Sequence, residues 1–222
     1  MNKQALYFFG WFNNNLLNQP AMLLHDDLPN RNSLVSICTN PSEYDHNDQF
    51  VGEIISEWLD PVDLKFNEYH LIDYRVSKKM AQSLILKASA IFLHGGNPSS
   101  LNAFLEEYEL SEVIKGSSAG VIIGASAGAM NMSAKFPYQD KSGSIKTYDG
   151  LGLCNFAFYP HFDSDSPFFK DVLMPLSQII GLYAGCEDST IRIKNGKLEF
   201  FGDVYFISNS KIQKMDEALY HS

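Results

Sequence analysis

Short runs of β-branched and aliphatic residues alternate along this chain with segments whose apolar positions recur at helical spacing. Ser33–Cys38 (SLVSIC) predicts a buried strand, and Phe50–Leu59 a helix that Pro61 ends. A strand around His70–Ile72 precedes a helix across Ser77–Lys87. Ala90–Leu93 (AIFL) is another strand and runs directly into Gly95-Gly96-Asn97-Pro98. A helix over Ser99–Glu107 follows, then a strand at Val121–Ala125 (VIIGA). Near-continuous Val, Ile and Leu strands separated by short helices predict parallel pairing with both sheet faces covered. The fold class is therefore α/β, a three-layer sandwich with a mostly parallel central sheet.

Towards the C-terminus the period changes to that of strands alone. Thr190–Ile193 and Leu198–Phe201 flank Asn195-Gly196, a pair that accepts the positive φ values of a tight turn, and so predict a C-terminal antiparallel hairpin. Val204–Ile207 predicts a further strand in this antiparallel extension of the sheet. The polar stretch Asn40–Asp48 reads as a loop. The N-terminal run Ala5–Phe12 contains Gly10 and stops at Asn13-Asn14-Asn15, too short for a membrane span and without a small-residue cleavage site. Its aromatic residues, Tyr7 to Phe12, read as core, with an interface the alternative. With no repeat, low-complexity tract or linker, residues 1–222 read as a single domain.

Composition narrows the function classes. Hydrophobic residues make up 45% and charged residues 19% of 222, a globular balance. The formal charge of −9 and the absence of a Lys/Arg run argue against nucleic acid and against an anionic membrane surface as partners. Three cysteines, Cys38, Cys154 and Cys186, have neither paired nor metal-ligand spacing, which predicts a reducing, cytoplasmic setting and no metal.

The chemistry concentrates at Gly124-Ala125-Ser126-Ala127-Gly128. A serine between a β-branched strand and a small-residue helix, with glycine two residues to either side, has the pattern of a nucleophile elbow. Such a turn projects the hydroxyl from the carboxyl edge of the sheet, where open α/β folds place their ligands. The Ala127 amide, first in the helix, is a candidate oxyanion donor, and Gly96, in the turn after the preceding strand, is a second. The bland alternatives are a helix N-cap at Ser126 and a capping role for Asn97. A serine nucleophile needs a base. Of six histidines, His161 follows the strand-like Phe156–Pro160 downstream of Ser126 and is the candidate. His25 and His46 lie in polar loops, His70 in or just before a strand, His94 beside a glycine turn and His221 at the C-terminus. Asp140, Asp163, Glu187 and Asp188 remain open as the acid.

These residues assemble into an ordered set: Phe92-Leu93-His94-Gly95-Gly96-Asn97, Gly124-Ala125-Ser126-Ala127-Gly128-Ala129, Tyr148-Asp149-Gly150-Leu151-Gly152-Leu153 and Tyr159-Pro160-His161-Phe162. On that set, from about Ala90 to Ile193, the chain resembles the peptidase E (aspartyl dipeptidase) and cyanophycinase family of serine peptidases. The resemblance implies a flavodoxin-like fold similar to class I glutamine amidotransferases. It also implies Ser126 as nucleophile, His161 as base, Gly96 and Ala127 as oxyanion donors, and no cofactor. The family's acid matches Asp140, fourteen residues after Ser126, with Glu187 second. Asn97 and Lys170 are the candidate substrate-binding residues.

Two departures bear on specificity. Aspartyl dipeptidases hold the substrate's aspartate with an arginine after the histidine motif; between His161 and Gly181 this chain has only Lys170, among Asp163, Asp165 and Asp171. Lysine offers a point charge without the bidentate fork. The elbow also carries Ala125 and Met130 where dipeptidase E has tryptophan and asparagine. The expected activity is thus hydrolysis of a small peptide or amide substrate, with a dipeptidase the nearest description. The alternatives are an esterase, against which the short spacing from Gly96 to Ser126 to His161 argues, and a non-catalytic relative that binds a small ligand at the elbow.

Overall fold

The structure is a computed structural model and describes residues 4–11, 18–139 and 142–216. The parallel sheet is formed by β1 (Ala5–Phe9), β2 (Ser33–Ile37), β3 (Glu68–Ile72), β4 (Ala90–Leu93) and β5 (Val121–Ala125). Between them run α1 (Asn18–Asp27), α2 (Tyr44–Glu53), α3 (Lys78–Lys87), α4 (Pro98–Glu107) and α5 (Leu110–Lys115), and α6 (Ala127–Met132) follows β5 directly. Beyond α6 come the hairpin of β6 (Lys135–Gln139) and β7 (Ile145–Asp149), then β8 (Ala157–Tyr159) and β9 (Leu182–Gly185). The chain closes with β10 (Thr190–Lys194), β11 (Lys197–Phe201), β12 (Val204–Ser208) and β13 (Lys211–Lys214).

Seven strands form the central sheet in the order β11-β10-β1-β5-β4-β2-β3, with β10 antiparallel to both its neighbours, β1 and β11, and the other five paired in parallel. Alternation along each strand sorts the side chains into two cores. Leu6, Phe8, Val35, Ile37, Ile91, Leu93 and Ile122 face α3–α6, while Ala5, Tyr7, Phe9, Leu34, Phe92 and Ile123 face α1 and the Ile54–Phe66 segment. This is the expected three-layer sandwich. Tyr7, Phe8 and Phe9 are fully buried, each contributing about 1.5–3 kcal/mol through apolar burial. The N-terminal aromatic run is thus a central strand of the sheet; Phe12 and the three asparagines after it lie outside the described residues.

Three expectations change. The segment read as a loop at Asn40–Asp48 already enters α2 at Tyr44, where buried Asn47 donates its side-chain amide to the Asn40 carbonyl at 2.9 Å. The helix expected over Phe50–Leu59 is the end of α2 continued as a π-helical turn, Ile54–Leu59, with Pro61 in a following 3-10 turn. The strand at Val204–Ile207 does not extend the central sheet. It pairs with β9 and β13 in a second sheet ordered β13-β12-β9-β8, whose core joins Phe162, Leu182 and Ile207. Apolar pattern alone does not tell which sheet a strand joins. Among the described residues no helix is long and apolar enough to cross a membrane.

Candidate active site

Strands β4 and β5 pair in parallel with Leu93 opposite Gly124, so the turns that leave their carboxyl ends lie side by side. Ser126 sits on the second of these turns with φ 49° and ψ −108°, a conformation that costs a non-glycine residue about 1–3 kcal/mol. Its backbone is pinned by a 2.9 Å hydrogen bond from the Ser126 amide to the Phe9 carbonyl. Close approach explains the flanking glycine at 128: a Cβ there would stand 2.0 Å from the Leu93 carbonyl oxygen. Because α6 begins at Ala127, that residue's amide has no acceptor within the helix.

The first turn is equally constrained. Gly96 has φ +125° and rests against Thr39, just beyond β2, where a Cβ would meet Thr39 Oγ1 at 2.3 Å. Asn97 caps α4 through its Oδ1, which accepts from the Ser99 and Ser100 amides at 3.0 and 3.1 Å. The fully buried Asn131 of α6 donates to the Pro98 and Ala127 carbonyls, both at 3.0 Å, and so ties the two turns together.

His161 follows β8 and also has a positive φ, 54°. Ser126 Oγ and His161 Nε2 are 2.9 Å apart, and the opposite ring nitrogen, Nδ1, pairs with Glu187. With the carboxylate accepting from Nδ1–H, Nε2 is left free to accept from the serine hydroxyl. Glu187 belongs to the turn between β9 and β10, which is fastened to the end of β1 by the Asp188 amide on the Trp11 carbonyl and the Gly10 amide on the Ser189 carbonyl, both 3.0 Å. The Trp11 ring lies 6.4 Å from that of His161. Glu187, second of the two acids expected from the sequence, is the one bonded to His161; Asp140 lies outside the described residues.

The other described histidines lie away from this relay. Burial pushes His94 down to about 3, with nearby His46 adding to the effect, so its ring is neutral and packs edge-on against Phe50 at 4.8 Å. His25 contacts the Val62 carbonyl and Arg31, and His70 pairs with Glu68. His221 lies outside the described residues.

Ser126, His161 and Gly96 open on a cavity of about 370 Å³, bounded further by Met130, Pro137, Tyr138, Gln139, Tyr159 and Phe168. Burial raises the Tyr159 phenol, keeping it un-ionised. Lys170 is exposed on the π-helical turn Phe169–Leu173 and is not among the residues lining the cavity. The aromatic lining comes from three separate segments, and no local sequence signal marks it. Among the described residues no group of three His, Cys, Asp or Glu side chains is arranged to hold a metal ion.

Solved structures share this architecture. A peptidase from an acI-B1 Actinobacterium superposes with a TM-score of 0.73 at 20% identity, over 97% of this chain and 95% of its own. A Listeria monocytogenes EGD-e protein provisionally named peptidase E gives 0.59 at 17% identity, over 90% of this chain and 98% of its own. At these identities the likeness is one of fold. No curated protein matches the sequence significantly. The model of peptidase family S51, in contrast, matches residues 41–201, nearly three quarters of the chain. The chain therefore belongs to peptidase family S51, the peptidase E family of serine peptidases.

Proposed function

We propose that this protein hydrolyses small peptides or amides, as a dipeptidase or a close equivalent, through a Ser126–His161–Glu187 triad. One observation carries the reading: a continuous relay runs from Ser126 Oγ through both nitrogens of His161 to Glu187. His161 Nε2 takes the serine proton as Oγ attacks the scissile carbonyl, forming a tetrahedral acyl adduct. Glu187 holds the imidazole in the tautomer this requires and stabilises the imidazolium. The amides of Gly96 and Ala127 receive the oxyanion, each worth about 3 kcal/mol in comparable sites. The imidazolium then protonates the leaving amine, and water, deprotonated by His161, releases the acyl group.

The mechanism is tested by reaction with a fluorophosphonate, followed by peptide mapping, and by turnover of a dipeptide panel. Stoichiometric labelling at Ser126 and loss of turnover in Ser126→Ala are expected. A protein that resists labelling while binding small ligands at the elbow would be a non-catalytic relative instead.

A further inference from the structure

The cavity beside Ser126 is walled in part by apolar side chains and rings, Met130, Tyr138, Tyr159 and Phe168, with Gln139 and His161 among its polar groups. Met130 is 5% exposed, Tyr159 and Phe168 stack with their centroids 5.3 Å apart at 20°, and Pro137 and Tyr138 of β6 contribute to the lining. The other polar side chains lining it, Ser126, Tyr138, Gln139 and Tyr159, bear no formal charge, and His161 is engaged by Glu187 at Nδ1. Among the described residues no Lys or Arg reaches the cavity, and Asp163 follows two residues after His161. An acidic side chain entering here would lose hydration without gaining a cation from any described residue, in the field of a chain of net charge −9. An aromatic or branched aliphatic side chain would instead exchange water for the faces of Tyr159 and Phe168.

We infer that the substrate's acyl group carries a bulky apolar side chain, aromatic or branched aliphatic, packed against Met130, Tyr159 and Phe168. The inference rests on Ser126 being the nucleophile, which brings the acyl residue of a substrate next to the cavity. It reverses the charge preference that an Asp-X dipeptidase would have.

The test compares Phe-Ala, Leu-Ala, Ala-Ala, Lys-Ala and Asp-Ala as substrates, and L-phenylalaninamide against L-aspartic α-amide as protectants of Ser126 from a fluorophosphonate. A kcat/KM for Phe-Ala about 100-fold above that for Asp-Ala is expected, with protection by phenylalaninamide alone. The ratio of Phe-Ala to Ala-Ala turnover should fall about tenfold in Phe168→Ala and less in Phe168→Leu. Protection supplies the answer even where none of the five dipeptides is cleaved. Equal or better use of Asp-Ala, or equal protection by the two amides, overturns the inference and leaves the nucleophile standing. Absence of any fluorophosphonate labelling removes the nucleophile, and the inference falls with it.

Discussion

Thr39 Oγ1 donates a 3.0 Å hydrogen bond to the Gly95 carbonyl oxygen. In a trans peptide the carbonyl and the following amide point in opposite directions, so tethering one aims the other. Thr39 therefore turns the Gly96 N–H away from β2, and Gly96 itself lines the cavity that Ser126 opens on. A residue just beyond the neighbouring strand β2 thus sets the direction of the amide proposed as an oxyanion donor.

Replacing that hydroxyl should harm the transition state more than substrate binding. Thr39→Val is expected to lower kcat about 10- to 100-fold with KM changed less than about twofold, because small misplacements of a donor are costly. Thr39→Ser should restore most of the rate. Steady-state kinetics on any peptide cleaved in a Ser126-dependent manner measures the split. A pure KM effect, or no rescue by serine, would leave Thr39 as packing.

The assignment of the acid is tested by comparing two carboxylates. Glu187→Gln keeps the shape but cannot hold the imidazole in the required tautomer, and kcat should fall about 1,000- to 10,000-fold. Asp140→Asn should leave kcat within about threefold. The reverse pattern would transfer the role to Asp140. Single-turnover acylation measured by quenched flow separates this effect from product release.

Much of this site was legible because its signals are local. The elbow is a strand, a turn and a helix in direct succession, and the glycine turn at 95–96 follows the adjacent strand, so Ser126, Ala127 and Gly96 can be read from consecutive residues. His161 also ends a strand-like run. Glu187 is different: it reaches His161 because β9 lies in the second sheet and β10 in the first, and the turn between them crosses at the end of β1. Nothing in the sequence around Glu187 records that crossing. Thr39 and the Tyr138, Tyr159 and Phe168 walls are likewise products of tertiary assembly. The parallel sheet was readable from strand composition, but the membership of β12 was not, since its pairing partner β9 had given no separate signal.

Gly128 makes a prediction about folding. A methyl group there would meet the Leu93 carbonyl oxygen at 2.0 Å and its carbon at 2.5 Å, both backbone atoms that cannot swing aside. Gly128→Ala must push α6 off β4, with a cost of about 3 kcal/mol and a fall in Tm of roughly 6–12 °C. Gly152→Ala is the control for removing a glycine elsewhere, where φ is +65° and nothing lies within 4 Å of the added atom. Its cost should be the smaller, about 1 kcal/mol from backbone strain alone. Thermal melts of the two variants decide the matter, and a Gly128→Ala protein as stable as Gly152→Ala would contradict the packing.

Acid stability depends on a buried carboxylate on the α1 side of the sheet. Asp27 of α1 accepts two hydrogen bonds from Arg192, both 2.8 Å, and one from the Tyr7 hydroxyl at 2.7 Å, and it also pairs with Lys194. Burial opposes ionisation of the Asp27 carboxyl, but the bonds from Arg192, Lys194 and Tyr7 outweigh it and hold its pKa below the ordinary 3.8. A carboxylate with a depressed folded-state pKa contributes stability above its unfolded value and loses it as pH falls through the folded one. Unfolding free energy should therefore drop as pH is lowered from about 5 towards 3. In Asp27→Asn that part of the acid limb should disappear, while stability at pH 7 falls by about 3–5 kcal/mol because Arg192 is left buried with its pairing to Glu199 alone. Urea denaturation of parent and variant across pH 3–7 makes the comparison. Curves that stay parallel over that range would show that Asp27 is not the group that couples folding to acid.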